Sequence, residues 1–107
     1  MNIEIQTRHF MLTEGIHDHV QRRLRFALSN RFQQIKRVIV RLSDINGPKG
    51  GNDKRCHIHI TLPRQADVVI EDVQSDLYRA VDRAADRASR TISRRLSRLR
   101  RRDRGSR

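Results

Sequence analysis

The chain has 107 residues, and its 24 Lys+Arg against 12 Asp+Glu leave a net charge of +12. That length suits one domain with one compact core, and the positive excess points to a polyanionic partner, nucleic acid before an anionic membrane. Cys56 is the only cysteine, which excludes an intrachain disulfide. No apolar run is long enough to cross a bilayer, and the first twenty residues lack a secretory-signal pattern, so the expected address is cytoplasmic.

Residues 2–7 (NIEIQT) alternate, with Ile3 and Ile5 on one face, and predict a short strand. Thr13 follows as a helix N-cap, with Glu14 in the first turn. Ile16, Val20, Leu24, Ala27 and Leu28 then draw one apolar stripe along a helix ending near Asn30. Phe10, Phe26 and Phe32 cluster around this helix and are expected in the core. Strand character runs from Ile35 to Ser43, with Val38, Val40 and Leu42 on one face and Arg37, Ile39 and Arg41 on the other. Residues 44–53 (DINGPKGGND) form a loop too long for a tight hairpin turn, and Lys49 among Gly47, Gly50 and Gly51 does not fit a phosphate-cradling motif. In the strand from Lys54, Cys56, Ile58, Ile60 and Leu62 alternate with Arg55, His57, His59 and Thr61, and Pro63 closes it. A last strand over 66–73 turns Val68 and Ile70 inward.

From Ser75, the expected N-cap, a long helix carries Leu77, Val81, Ala84, Ala88, Ile92, Leu96 and Leu99 on one stripe. At about 28 residues it would reach about 42 Å, beyond the end of a strand of about 26 Å. The order is β-α-β-β-β-α, an α+β fold with two helices packed on one face of a four-stranded mixed sheet. The other sheet face would then carry Arg37, Arg41, Arg55, His57 and His59. One domain is expected over residues 1–102, with 103–107 as a disordered basic tail.

Charge is concentrated at the end of the chain. Residues 75–107 hold 12 Lys+Arg and 4 Asp+Glu. Arg79, Arg83, Arg87, Arg90, Arg94, Arg98 and Arg101 share an arc of about 100° opposite the apolar stripe. Asp82 and Asp86 are close enough in sequence to pair with neighbouring arginines along the helix. Beyond Arg87 that pairing fails, because eight further arginines precede Gly105 against one acid, Asp103. Such repulsion is relieved by phosphates, with salt-dependent binding. Arg22, Arg23 and Arg25 add a smaller basic patch on the first helix, with Arg31 near its end.

Other chemistries have less support. Cys56 points away from His57 and His59, and two histidines fall short of a zinc site. His17 and His19 diverge on a helix. No nucleophile, base and orienting group are recognisably spaced, so no enzyme activity, metal or cofactor is expected.

The opening MNIEIQTRHFMLTEGIHDHVQRRLRF and the block IEDVQSDLYRAVDRAADRASRTISRRL, from Ile70 to Leu96, resemble the ribosome hibernation factors, the ribosome-associated translation inhibitor family. Asp76-Leu77-Tyr78 followed by Ala80-Val81-Asp82 is similar to the family's D-[ML]-Y-x-A-I-D. Arg8 and Thr13 fit its opening pattern, and Lys54 matches the basic residue before its third strand. Thr7 stands where the family has glycine, and Arg55 and Cys56 stand where it has acids. The resemblance implies a noncatalytic, short-form factor on the small ribosomal subunit that contacts 16S rRNA and blocks the mRNA/tRNA channel sterically. Paired ribosomes are a further partner it admits. By position it carries RNA contacts to Arg22, Arg23, Arg25, Lys54, Arg79, Arg83, Arg87, Arg90 and Arg94, and the helical period adds Arg98 and Arg101.

Two other classes compete. A generic double-stranded RNA module would also use a basic face on a small α+β domain, with contacts from the loop 44–53. A basic amphipathic membrane-surface protein would need large apolar side chains opposite the arginines, where Ala84, Ala85 and Ala88 present little area; no membrane partner is expected.

Overall fold

A computed structural model describes residues 2–45 and 53–105, the last seven of these by backbone alone. Lys49 and Gly47, Gly50 and Gly51 lie outside the described residues, as do residues 106 and 107 and the side chains of Leu99 and Arg101. Strand β1 (Ile3–Arg8) leads to helix α1 (Glu14–Ala27), then β2 (Arg37–Asp44), β3 (Lys54–Thr61), β4 (Val68–Gln74) and helix α2 (Leu77–Gly105). The four strands lie in sequence order in one sheet. β1 runs parallel to β2, while β2/β3 and β3/β4 are antiparallel. The parallel pair needs a crossover, and α1 supplies it. This is the α+β arrangement the alternation and periodicity predict.

Register follows from which side chains are apolar. Val38, Val40 and Leu42 pair with Ile60, Ile58 and Cys56 and are buried with them. Shifting either strand by one residue would bring Arg41 or His57 into the core, so the pattern holds the pairing in place. Both helices cover this one face. α1 buries Ile16, Val20 and Leu24; α2 buries Ala80, Val81, Ala84, Ala85, Ala88, Ile92 and Leu96. The small alanines let α2 lie close to the sheet and to α1, because a residue without a long side chain sets a short interaxial distance. Leu96 is the last buried side chain among the described residues. Nine more residues of helix follow it, about 13 Å at 1.5 Å per residue, in line with the overreach expected from its length.

Element ends differ from the sequence reading in ways that have local causes. Thr13 is the α1 N-cap, its Oγ1 accepting from the Ile16 amide at 3.2 Å. The helix stops at Ala27 rather than near Asn30, and a 3-10 segment, Ser29–Gln34, completes the turn to β2. Ser29 and Asn30 are weak helix formers, while Leu28 still reaches the core. Ile35, assigned to β2 by its β-branch, is buried just before the strand begins. At α2 the cap is Asp76, not Ser75. Its carboxylate accepts from the Tyr78 amide at 3.1 Å, and its carbonyl accepts from Ala80.

The aromatic residues split. Phe10 and Phe32 pack against the core, as expected, but Phe26 is 78% exposed. It lies two residues past Leu24, about 200° around the helix, and so leaves the apolar stripe.

Candidate nucleic-acid interface

α1 and α2 run alongside each other with a constant offset. Gly15 faces Tyr78, His19 faces Asp82 and Arg23 faces Asp86, each pair 63 positions apart and each rung one turn further on. A Cβ at residue 15 would come within 2.9 Å of the Tyr78 hydroxyl, so glycine there permits the close approach of the two helix starts. Tyr78 and His19 rings meet edge to face at 4.8 Å, and His19 Nε2 lies 2.7 Å from Asp82 Oδ1. Arg23 finishes the ladder. Its Nε donates to Asp82 Oδ1 at 2.9 Å, and its Nη2 donates to Asp86 Oδ1 at 2.9 Å and to the Asp82 carbonyl at 3.3 Å. Partial burial works against the Arg23 charge, but the hydrogen bonds and charges of Asp86 and Asp82 outweigh it and raise its pKa above the usual value.

Asp82 and Asp86 therefore pair across the helix interface, not along α2 as their spacing suggested. The flank of α2 facing α1 is acidic and neutralised. The opposite flank adjoins β4, where Asp72 points inward and is nearly buried. Arg83 Nε and Arg87 Nη1 approach its Oδ2 at 3.7 and 3.5 Å, and Gln74 donates to its Oδ1 at 2.7 Å. Arg87 also donates to the Glu71 carbonyl at 2.6 Å, and Arg95 to the Ala66 carbonyl at 2.6 Å. Burying a carboxylate is costly unless such partners compensate it. Beside it, burial and then the Asp72 charge push the Cys56 thiol up to about 12. Cys56 is a buried core residue, and no group of three or more metal-ligating side chains occurs among the described residues.

The expected RNA-contacting residues thus fall into two sets. Arg22, Arg25, Arg79, Arg90 and Arg98 are exposed and make no ion pair among the described residues. Arg94 is exposed too, with only a long hydrogen bond to Thr91 Oγ1. Arg23, Arg83 and Arg87 are engaged by Asp82, Asp86 and Asp72, although the Arg83 and Arg87 guanidiniums keep an exposed side. Lys54 is held between Asp44 at 2.9 Å and Asp53 at 3.2 Å. Its pKa is raised by the Asp44 hydrogen bond, which with Asp53 outweighs desolvation. Asp53 is itself 1% exposed. Lys54 thus closes the ends of β2 and β3. Arg101 continues the arginine period on the α2 backbone, its side chain outside the described residues.

On the helical layer, then, the basic surface is the outward face of α2 from Arg79 to Arg98, flanked by Arg22 and Arg25 of α1. Among helices of the described residues, none is long and apolar enough to cross a membrane.

Residues 3–100 match the family described as sigma 54 modulation protein / S30EA ribosomal protein. The structure is similar to that of the N-terminal domain of Protein Y from Thermus thermophilus, at 33% identity and a TM-score of 0.71, covering 88% of this chain and 98% of that one. It is also similar to a ribosomal subunit interface protein from Coxiella burnetii, at a TM-score of 0.77 over 91% of this chain and 99% of that one; at 14% identity this likeness concerns the fold alone. No curated protein sequence matches the chain.

Proposed function

The chain belongs to the sigma 54 modulation protein / S30EA ribosomal protein family, a family of noncatalytic ribosome-associated proteins, and from that membership we propose that it is a hibernation factor that occludes the small ribosomal subunit. It binds 16S rRNA in the mRNA/tRNA channel and blocks that channel by its bulk, with no bond made or broken. The observation that supports this most is the unpaired row of arginines on α2. Arg79, Arg90, Arg94 and Arg98 project from one face of a rigid helix with no internal carboxylate opposite them. Phosphates supply the counter-charge that the fold leaves out, and guanidinium forks suit their oxygens. Arg22 and Arg25 widen the contact across α1, and Arg101 extends it by its period. The action takes place in the cytoplasm, with ribosomes idled under stress as the target.

The test is sedimentation through a sucrose gradient with small subunits at moderate salt, with and without competing tRNA. The chain is expected to travel with the subunit and to be displaced by tRNA. The triple variant Arg90→Glu, Arg94→Glu, Arg98→Glu is expected to lose affinity by about a hundredfold or more, since three phosphate contacts become repulsions. Equal co-sedimentation by this variant, with its circular dichroism unchanged, would remove the basis of the reading.

A further inference from the structure

The side of the sheet away from the helices holds a cleft of about 560 Å³ that the helical surface does not involve. Two neighbouring cross-strand rows build it. One is Gln6–Arg41–His57–Glu71; the next, two residues along each strand, is Arg8–Ser43–Arg55–Val73. Same-face neighbours in a sheet lie close enough for long side chains to converge, and all of these but Val73 line the cleft.

The cleft is cationic and partly organised in advance. Arg41 Nε donates to Gln6 Oε1 at 3.1 Å, which fixes the guanidinium while leaving its terminal amines without a partner among the described residues. Arg55 Nε donates to Ser43 Oγ at 3.2 Å, and its Nη1 meets Glu71 Oε1 at 3.2 Å. Arg8 has no ion-pair partner among the described residues. Ser43 is buried although it faces the open side, so the surface there is concave. His57 Nδ1 is shielded without a hydrogen-bond partner among the described residues. Three guanidiniums against one carboxylate leave two positive charges. The other end of the same face carries no such cationic excess, with Arg37 on Glu4 at 3.1 Å and His59 on Asp67 at 2.6 Å.

We propose that the cleft formed by Arg8, Arg41 and Arg55 on the open sheet face binds a phosphoryl group. A phosphate monoester or a phosphodiester pair matches the two-charge excess, and its oxygens accept from the free guanidinium amines. A carboxylate would leave one charge unmatched. The phosphoryl group comes either from an RNA backbone or from a free nucleotide. The site is on the opposite face from the α2 arginines, so it stands whether or not those arginines meet rRNA.

The test is a titration of the full chain with inorganic pyrophosphate, followed by 1H–15N NMR including arginine Nε–H signals. Saturable shifts at Arg8, Arg41 and Arg55 are expected. Affinity should fall about tenfold or more in Arg41→Gln/Arg55→Gln, since hydrogen bonds to charged groups are lost, and stay within about twofold in Arg37→Gln, which lies at the other end of the same face on Glu4 and leaves the cleft intact. Shifts confined to the helices, undiminished binding by the cleft variant, or no saturable shift would overturn the proposal. A nucleoside 5′-diphosphate and an oligoribonucleotide lacking terminal phosphates then separate the two sources. The one whose binding is lost with the cleft variant is the donor, and if neither loses affinity the proposal fails. Unchanged thermal unfolding of the Arg41→Gln/Arg55→Gln protein keeps a folding defect from imitating loss of the site.

Discussion

The two halves of α2 carry the same residue at the same helical spacing and use it differently. Around Arg83 and Arg87 the fold supplies an inward carboxylate, Asp72, and the arginines offset the cost of burying it at the sheet edge. From Arg90 to Arg98 there is no acid on the neighbouring strand or helix within ion-pair distance among the described residues, and the charge stays unpaired there. A periodic basic stripe is therefore not one functional unit. Arg83 and Arg87 are shared with the architecture, while Arg79 before them and the arginines from Arg90 to Arg98 after them keep their charge without an ion pair among the described residues.

The largest expected effect separates these halves directly. Arg90→Gln/Arg94→Gln/Arg98→Gln should weaken RNA binding by about tenfold or more and reduce the slope of log affinity against log salt by about 2–3, with urea unfolding unchanged. Arg83→Gln/Arg87→Gln should instead lower stability by about 1–3 kcal/mol, because Asp72 loses its charged partners and keeps only Gln74. If both variants change only binding, the division along the helix is wrong. Next in size is Arg23→Ala. It leaves Asp86 without its partner and Asp82 with His19 alone at a half-exposed interface, and about 1–2 kcal/mol of stability should be lost, read from the urea midpoint.

A smaller change sharpens the comparison from the other side. Asp72→Asn releases Arg83 and Arg87 from an internal acid and adds one net positive charge, so RNA affinity should rise about two- to fivefold, by fluorescence anisotropy. The smallest effect is the pH slope. Because the Cys56 thiol is held protonated in the fold up to about 12 while an exposed thiol ionises near 9, the unfolded chain loses its proton first and stability falls as pH rises across that window. Lys54, whose pKa is raised, adds to the fall at the alkaline end. Cys56→Ala should flatten the slope from pH 9 upward, and Asp72→Asn should flatten it in part by removing the charge beside the thiol.

Much of the scaffold was legible from periodicity. Alternation in Val38–Leu42 and Cys56–Leu62 set which sheet face is buried, and the Leu77–Leu96 stripe set the buried side of α2, because burial of apolar surface acts locally along each element. Phe26 was misassigned by residue type although its position on the α1 wheel places it outside the stripe. The N-cap of α2 shifted by one residue because Ser75 and Asp76 are both good caps and only the chain's entry angle chooses between them. Gly15 carries no apolar or charged signal along the chain; its use against Tyr78 became visible only with the second helix in place.

What the residues determined alone is the topology, the inward face of every element, and a basic stripe whose charge no nearby sequence could balance. What tertiary structure decided is which charges are spent inside the molecule. Arg23, Lys54, Arg83 and Arg87 meet acids on other elements, up to 63 positions away, and the two cross-strand rows that gather Arg8, Arg41 and Arg55 exist only once β1, β2 and β3 are in register. The reason is range: apolar patterning is read along the chain, whereas an ion pair depends on distances of a few ångströms that folding alone sets.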